Sequence, residues 1–392
     1  MKEYKIGKGW AIFIYIFAPL LIALFVWLLI MPFVLDDTPI EMLYFFAPLS
    51  LGMIGLMVVG LLDTIKGKVI VSSDTLSIRS TFINRDLKFQ EIKGFQVEQN
   101  YIFVLPNTEK KKRIKISTYI GNSSELIMWL SSNFPDLHQV NEKKEEAEIL
   151  DNFEYGRNVE ERSSQLNQAK KVAKVLNWAG GLILVWTLFK PAPYEYAILA
   201  SISLPIIAIF VVIYYKGLIK INEKNRGSGS AYPTVLSAIL LSSCGLFLRA
   251  LLDYDIFDYS NIWMPSIIIG IAMTVLIVFR TQEFKFKKLI DYFTILSLTF
   301  FFFGFGFGSI VSLNCMYDES TPQAFQSKIL NKRISSGKRT TYYIELAAWG
   351  TQSEKSDVSV TEELYEKLEL DNNATIYLKK GWLKIPWFIV TE

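Results

Sequence analysis

Residues 300–309 read FFFFGFGFGS, inside the apolar segment 289–312, and their reading separates two kinds of fold. Glycines at Gly304, Gly306 and Gly308 alternate with phenylalanines, a texture that invites a phosphate-cradling loop. Such a loop needs a strand before the glycines, a helix after them, and GxGxxG or GxxxxGK spacing. Here a long apolar run precedes them, no lysine follows, and the spacing is GxGxG. A helix fits better. Gly304-x-x-x-Gly308, continued by Ser312, forms a small-residue stripe on one helical face, the pattern by which membrane helices approach closely. Phe301, Phe303, Phe305 and Phe307 then spread over the other faces, toward lipid and neighbouring helices.

Six more segments share this apolar character. A bilayer core about 30 Å thick takes roughly 20 mostly apolar helical residues to cross. The candidates are 10–34, 43–62, 173–190, 194–215, 233–252, 262–280 and 289–312, of which 173–190 is the shortest. The first is too long for a signal-peptide core, and no small-x-small cleavage site follows it. Two polar blocks remain, 64–172 and 313–392, each large enough for a small domain. The two cysteines, Cys244 and Cys315, cannot form a disulfide framework, and the single histidine, His138, excludes most His-rich metal sites. No metal or cofactor is expected.

Loop charge sets the expected orientation, because cytoplasmic loops carry the Lys and Arg excess. Lys2, Lys5 and Lys8 precede the first span, and LDDTPIE (35–41, with Asp36 and Asp37) follows it. The loop KGLIKINEKNRGSGS (216–230) holds Lys216, Lys220, Lys224 and Arg226, DYDIFDYSN (253–261) holds three aspartates, and RTQEFKFKK (280–288) is basic again. Every second loop agrees. The expectation is seven spans in a cell's inner (plasma) membrane, N-terminus cytoplasmic and C-terminus extracytoplasmic.

From residue 68 the apolar period becomes two, through KVIVSS, TLSIRSTF, RDLKF, IKGFQVE, YIFVLP and KRIKIST, with turn residues between them. SSELIMWLSSNF (123–134) follows with apolar residues at 126, 127, 130 and 134, a helical stripe with Ser123 placed as N-cap. Several short antiparallel strands closed by one amphipathic helix resemble a pleckstrin-homology (PH)-like domain, of the kind bacterial membrane proteins carry directly after a transmembrane hairpin. The wording DTLSIRSTFINRDLKFQEIKGF (74–95) is similar to the opening strands of those bacterial domains. The linker NVEERSSQLNQAKKVAKVLNWAGG (158–181) and the spans after it resemble an uncharacterised group of bacterial multi-pass membrane proteins. That resemblance implies architecture and no activity.

The expected organisation is a two-helix transmembrane hairpin at 1–63, a cytoplasmic PH-like β-domain at 64–137 and a charged helical linker at 138–172. A bundle of about five helices at 173–312 and an extracytoplasmic β-domain at 313–392 complete it. In that last block the strands FQSKILNKR (325–333) and TTYYIELAA (340–348) flank a turn on Gly337, and DVSV (357–360) adds a third. TEELYEKLEL follows as a helix capped by Thr361, and NATIYLKK and WLKIPWFIV form a closing hairpin, which suggests a small SH3- or OB-type barrel. The fold class is thus an α-helical integral membrane protein with two small β-domains.

Candidate sites are few. EKKKRIK (109–115) is the densest basic run, and Lys110, Lys111, Lys112, Arg113 and Lys115 are candidates for anionic lipid headgroups, with a solvated hairpin as the alternative. Arg249 and Asp253, i and i+4 in span five, form the one candidate intramembrane charge pair, with snorkelling to the outer boundary as the alternative. Ser242, Ser243 and Cys244 read as close-packing residues, since nothing near them in sequence would activate a nucleophile. Glu145-Glu146 and Glu160-Glu161 read as solvated helix surface. Lys332, Arg333, Lys338 and Arg339 crowd one hairpin end of the outer domain, beside Trp349, Trp382 and Trp387, and read as a solvated turn over a barrel core. No nucleic-acid contact is expected. The functional expectation is a non-enzymatic scaffold or sensor whose partners are the bilayer, anionic headgroups and a membrane protein. Its rival is a transporter or intramembrane enzyme with a site among helices three to seven near Arg249 and Asp253.

Overall fold

The computed structural model describes residues 1–34, 40–108, 110–221, 229–281, 283–284, 286, 289–336 and 340–392. Asp36, Asp37, Glu109, Lys224, Arg226, the basic residues 285, 287 and 288, and the Gly337 turn with Lys338 and Arg339 lie outside the described residues. The chain divides into two compact units, Met1–Glu148 with Lys224–Ala231, and Ile149–Glu223 with Tyr232–Glu392.

The first unit begins with a strand where the sequence suggests only a charged flank. β1 (Lys2–Lys5) precedes α1 (Lys8–Val34) and α2 (Leu43–Lys66), and β2 (Lys68–Val71), β3 (Thr75–Arg79) and β4 (Asn84–Lys88) follow. These strands form one antiparallel sheet in the order β1-β2-β3-β4, with Tyr4 opposite Val69. A second sheet holds β5 (Ile92–Val97), β6 (Tyr101–Pro106) and β7 (Ile114–Ser117). Period-two alternation turns Leu76, Leu87, Ile102, Val104, Ile114 and Ile116 into the space between the sheets, where all are buried. Helix α3 (Ser123–Asn133) closes the core with Leu126 and Leu130, one turn apart and fully buried. Its N-cap is Asn122, in the left-handed region, and not Ser123, which is the first helical residue. Helix α4 (Leu137–Asp151) follows.

The α1–α2 hairpin is therefore inserted between the first and second strands of the β-unit and rooted at both ends. Gly7 N donates to Tyr119 O and Gly121 N to Lys5 O. At the other root Asp63 Oδ1 accepts from Ser80 Oγ at 2.8 Å and Thr81 N at 2.7 Å. Only 6% of the most apolar window of either helix is buried by protein, and Leu20, Leu24, Trp27, Phe45 and Leu51 are exposed. Soluble proteins rarely expose apolar surface on this scale, and its extent is that of helices long enough to cross a bilayer.

In the second unit, α5 (Val159–Phe189) runs unbroken from the expected linker into the expected span. Residues 173–189 are thus the C-terminal part of a helix of 31 residues, about 46 Å at 1.5 Å per residue. The basic residues around Lys170 and Lys174 are good helix formers and give the chain no reason to stop there. Asn158 caps its start, its side chain accepting from Glu161 N at 2.7 Å. Then come α6 (Tyr194–Tyr214), α7 (Leu236–Asp253), the two-residue strand β8 (Asp255–Ile256), α8 (Ser260–Arg280) and α9 (Leu289–Met316). Among the described residues seven helices are long and apolar enough to cross a membrane, the make-up of a multi-pass membrane protein. Half of α9's most apolar window is buried, the largest share of the seven, so α9 is the core helix of its bundle.

After α9 come β9 (Gln323–Ser336), β10 (Thr340–Leu346), β11 (Ser356–Val360), α10 (Glu362–Lys367), β12 (Asn373–Lys379) and β13 (Trp387–Thr391). The sheet order is β11-β10-β9-β12-β13-β8. The 14-residue β9 serves two neighbours, pairing β12 through residues 323–328 and β10 through 329–336. Among the described residues no ladder joins the edge strands β11 and β8, so the barrel suggested by the strand order is not closed by hydrogen bonds. The aspartate-rich loop after α7 supplies β8, which pairs with β13 through Trp387 and Phe388. Ala250, Ile256, Ile262, Phe307, Val311, Ile385 and Trp387 form one buried cluster, so sheet and helix ends share a core.

Candidate functional site

The helix ends next to this sheet carry two polar networks. Arg249 Nε donates to Thr187 O at 2.6 Å and Nη2 to Leu188 O at 3.0 Å, so the guanidinium caps the last turn of α5. Its Nη1 meets Asp253 Oδ1 at 3.0 Å, and Asp253 Oδ2 accepts from Tyr194 OH at 2.8 Å at the start of α6. One arginine thus ties three helices together with all three donor nitrogens engaged. The pair forms as the i, i+4 spacing suggests, and its surroundings make it a staple rather than an open charge.

A second network lies at the end of α9. Asn314, fully buried, donates through Nδ2 to Ile385 O at 2.9 Å and accepts at Oδ1 from Leu383 N at 2.9 Å and Ile385 N at 3.4 Å. Its backbone carbonyl accepts from Trp382 N at 3.0 Å. One turn on, Asp318 Oδ2 accepts from Trp387 Nε1 at 2.7 Å and Gly381 N at 3.0 Å, and Oδ1 from Ser320 N at 2.8 Å. Lys379 Nζ lies 3.9 Å from Oδ2 and donates to Asp318 O at 2.9 Å. Burial pushes the Asp318 carboxyl up, but the hydrogen bonds from Ser320, Trp387 and Gly381 outweigh it and hold the group below the usual carboxylate range. Gly381, at φ +75°, has no room for a side chain: a Cβ there would fall onto Ile385 O and the Asn314 amide. Sequence reasoning missed this lock. Asn and Asp at i and i+4 closing an apolar run are a weak signal, and their partners lie about 70 residues away.

The glycines of α9 divide by direction. Two residues along a helix turn about 200°, so Gly306 and Gly308 face opposite sides. A Cβ on Gly308 would lie 3.0 Å from Phe247 N and Leu246 Cγ on α7. One on Gly306 would lie 3.0 Å from Ser266 O on α8. Gly304 would meet only Phe247 Cδ2 at 3.8 Å, an ordinary contact. The close approach belongs to Gly308 and Gly306, and the expected stripe is corrected at Gly304, where the Phe247 ring already fills the gap. Ser312 is buried and its hydroxyl makes no hydrogen bond in the structure. Phe305 and Phe307 are buried within the bundle and not turned to lipid.

The basic run spreads over the loop and strand leading into β7. Lys111 pairs with Glu91 at 2.7 Å, while Lys110 and Lys112 are exposed. The Arg113 guanidinium lies 4.5 Å from the Phe103 ring centroid and Lys115 Nζ 3.6 Å from that of Tyr101. Among the carboxylates read as helix surface, Glu145 accepts from Ser230 Oγ and Ala231 N, and Glu161 from Arg157 N. Among the described residues no group of three or more His, Cys, Asp or Glu side chains could hold a metal ion.

No protein-family model, curated protein or solved structure matches the chain.

Proposed function

We propose that the chain is a non-catalytic scaffold or sensor of a bacterial inner (plasma) membrane. In this reading the N-terminus and the β1–β7 unit lie in the cytoplasm and the β8–β13 sheet lies outside. Alternating loop charge supports the orientation. A four-stranded and a three-stranded sheet capped by α3 support the PH-like reading of the first unit. The second sheet, with β9 shared between its two halves, supports a small barrel-like domain of the SH3 or OB kind.

The observation that carries the function is the Asn314–Asp318 lock. A binding module tethered only by a flexible linker moves without effect on its membrane helices. Here α9, the most buried helix, ends inside the sheet's own hydrogen-bond network, and α7 leads directly into strand β8. Force on the sheet therefore reaches α7 and α9. The arrangement of Arg249 supports the same reading, since its donors are engaged by the Thr187 and Leu188 carbonyls and Asp253 and offer no free charge to a substrate.

The test is complementation of a deletion strain. Asp253→Asn leaves Arg249 bound to its two carbonyls, and a scaffold carrying it at wild-type protein level keeps function. Loss of function at unchanged level and thermal stability assigns chemistry or transport to the pair and overturns the scaffold reading. Cross-linking in intact membranes should, in addition, recover one reproducible protein partner.

A further inference from the structure

The first unit contains a cavity of about 410 Å³ at the base of the α1–α2 hairpin. Its size lies within the range of small-molecule sites, about 300–1,000 Å³. Two kinds of wall meet there. Ile14 on α1, Gly60 on α2, and Ile78, Ile116 and Ile120 on the β-unit make an aliphatic floor. Lys68, Arg79, Arg85 and Lys115 make a cationic rim.

The rim is only partly neutralised. Lys68 pairs with Glu3 at 2.8 Å and Arg79 with Asp86 at 2.7 Å. Arg85 donates to Arg113 O, and Lys115 rests on the Tyr101 ring; among the described residues neither has a carboxylate partner. The one acid in the lining is Asp63, whose Oδ1 is taken by Ser80 and Thr81. Two cations without a direct carboxylate partner thus face a cavity whose other wall is aliphatic, and that wall continues onto helices whose apolar surface is almost wholly exposed. Ile14 is in the second turn of α1 and Gly60 in the last two turns of α2, the level at which a headgroup meets acyl chain.

We infer that this cavity holds one anionic glycerophospholipid, its phosphate at Arg85, Lys115 and Arg79 and its acyl chains along Ile14 and Gly60. The inference rests on α1 and α2 being membrane helices. It deepens the lipid contact first suggested by the basic run, moving it from the exposed lysines 110 and 112 to a built site. Gly60 carries the acyl half of the argument: a Cβ there would meet nothing within 4 Å, so the glycine leaves space that the protein does not fill.

Native mass spectrometry of the full chain, delipidated in detergent, tests it with phosphatidylglycerol, phosphatidylcholine and free glycerol 3-phosphate as probes. The expected result is one saturable phosphatidylglycerol per chain, retained in preference to phosphatidylcholine. Arg85→Gln with Lys115→Gln should weaken it roughly thirty-fold, at about fivefold per cation near a lipid surface. Gly60→Leu, whose Cβ would meet nothing within 4 Å, puts bulk into the floor and should lower phosphatidylglycerol retention independently. Equal retention of the two lipids, or equal retention by wild type and both variants, overturns the site. Binding of glycerol 3-phosphate as tight as that of the lipid, and untouched by Gly60→Leu, assigns the cavity to a soluble phosphate and overturns the lipid. Release of the wild-type chain from membranes by alkaline carbonate would instead overturn the membrane reading of the hairpin, a separate failure.

Discussion

Replacing Asn314 with alanine should loosen the second sheet from the bundle, and the cost follows from the geometry. The side chain is fully buried and supplies an acceptor to Leu383 N and Ile385 N and a donor to Ile385 O. Alanine removes both at once. At least one N–H and one carbonyl then lose their partner away from water, at about 1–3 kcal/mol each. The emptied space adds a smaller penalty, giving about 3–5 kcal/mol in total, against a net stability of roughly 5–15 kcal/mol for a typical domain. An exposed control such as Ser353→Ala should change stability by less than about 0.5 kcal/mol. Denaturant titration in one detergent, followed by tryptophan fluorescence, measures the loss, since Trp382 and Trp387 sit on the affected segment. Amide exchange at 383 and 385 should accelerate while exchange within β9 and β10 changes little. An unchanged midpoint with unchanged protection at both amides would refute the reasoning, because it would mean that the lock carries no free energy.

Gly308→Ala forces a Cβ into the α7 backbone at 3.0 Å and should cost about 1–3 kcal/mol of detergent stability, whereas Gly304→Ala should be neutral or slightly stabilising. Equal effects at the two sites would contradict the assignment of faces. Arg249→Ala strips the cap from α5 and leaves Asp253 without its cation, so it should lower stability by about 1–3 kcal/mol, more than Asp253→Asn does; thermal melting ranks the two. Burial pushes the Asp255 carboxyl up to about 6, above its unfolded value near 3.9. Between these values the folded state holds the extra proton, so this group's contribution to stability falls as pH rises from about 4 to about 6. Asp255→Asn should therefore stabilise the protein at pH 8 and not at pH 4, and a gain of equal size at both would dismiss the buried-acid account.

Periodicity and charge made the long features legible. Seven apolar runs, the period-two strands of 68–118, the Leu126–Leu130 stripe and the Thr361 cap all follow from local pattern. What local pattern lacks is the identity of the neighbour. β1 and β8 are four and two residues long, too short to alternate, and become strands only because β2 and β13 offer them edges. No break in the helix marks the 172/173 boundary for a related reason: charge changes there, but helix propensity does not. The glycines of α9 show the limit most clearly. Spacing alone groups Gly304 with Gly308, yet only the positions of α7 and α8 reveal that Gly306, on the opposite face, is as close a contact as Gly308 while Gly304 is not. The Arg249–Asp253 pair was legible from i, i+4 spacing, while its role as a cap for α5 depended on carbonyls 61 and 62 residues away.

The placement of the two β-units on opposite faces of the membrane is the claim on which the scaffold or sensor reading stands, and cysteine labelling tests it directly. With Cys244 and Cys315 replaced by serine, single cysteines at Lys111 and Glu354, both exposed, are offered to an impermeant maleimide in intact cells. The account expects rapid labelling at position 354 and labelling at 111 only after the membrane is opened. Labelling of 111 from outside intact cells, or protection of 354, would contradict it.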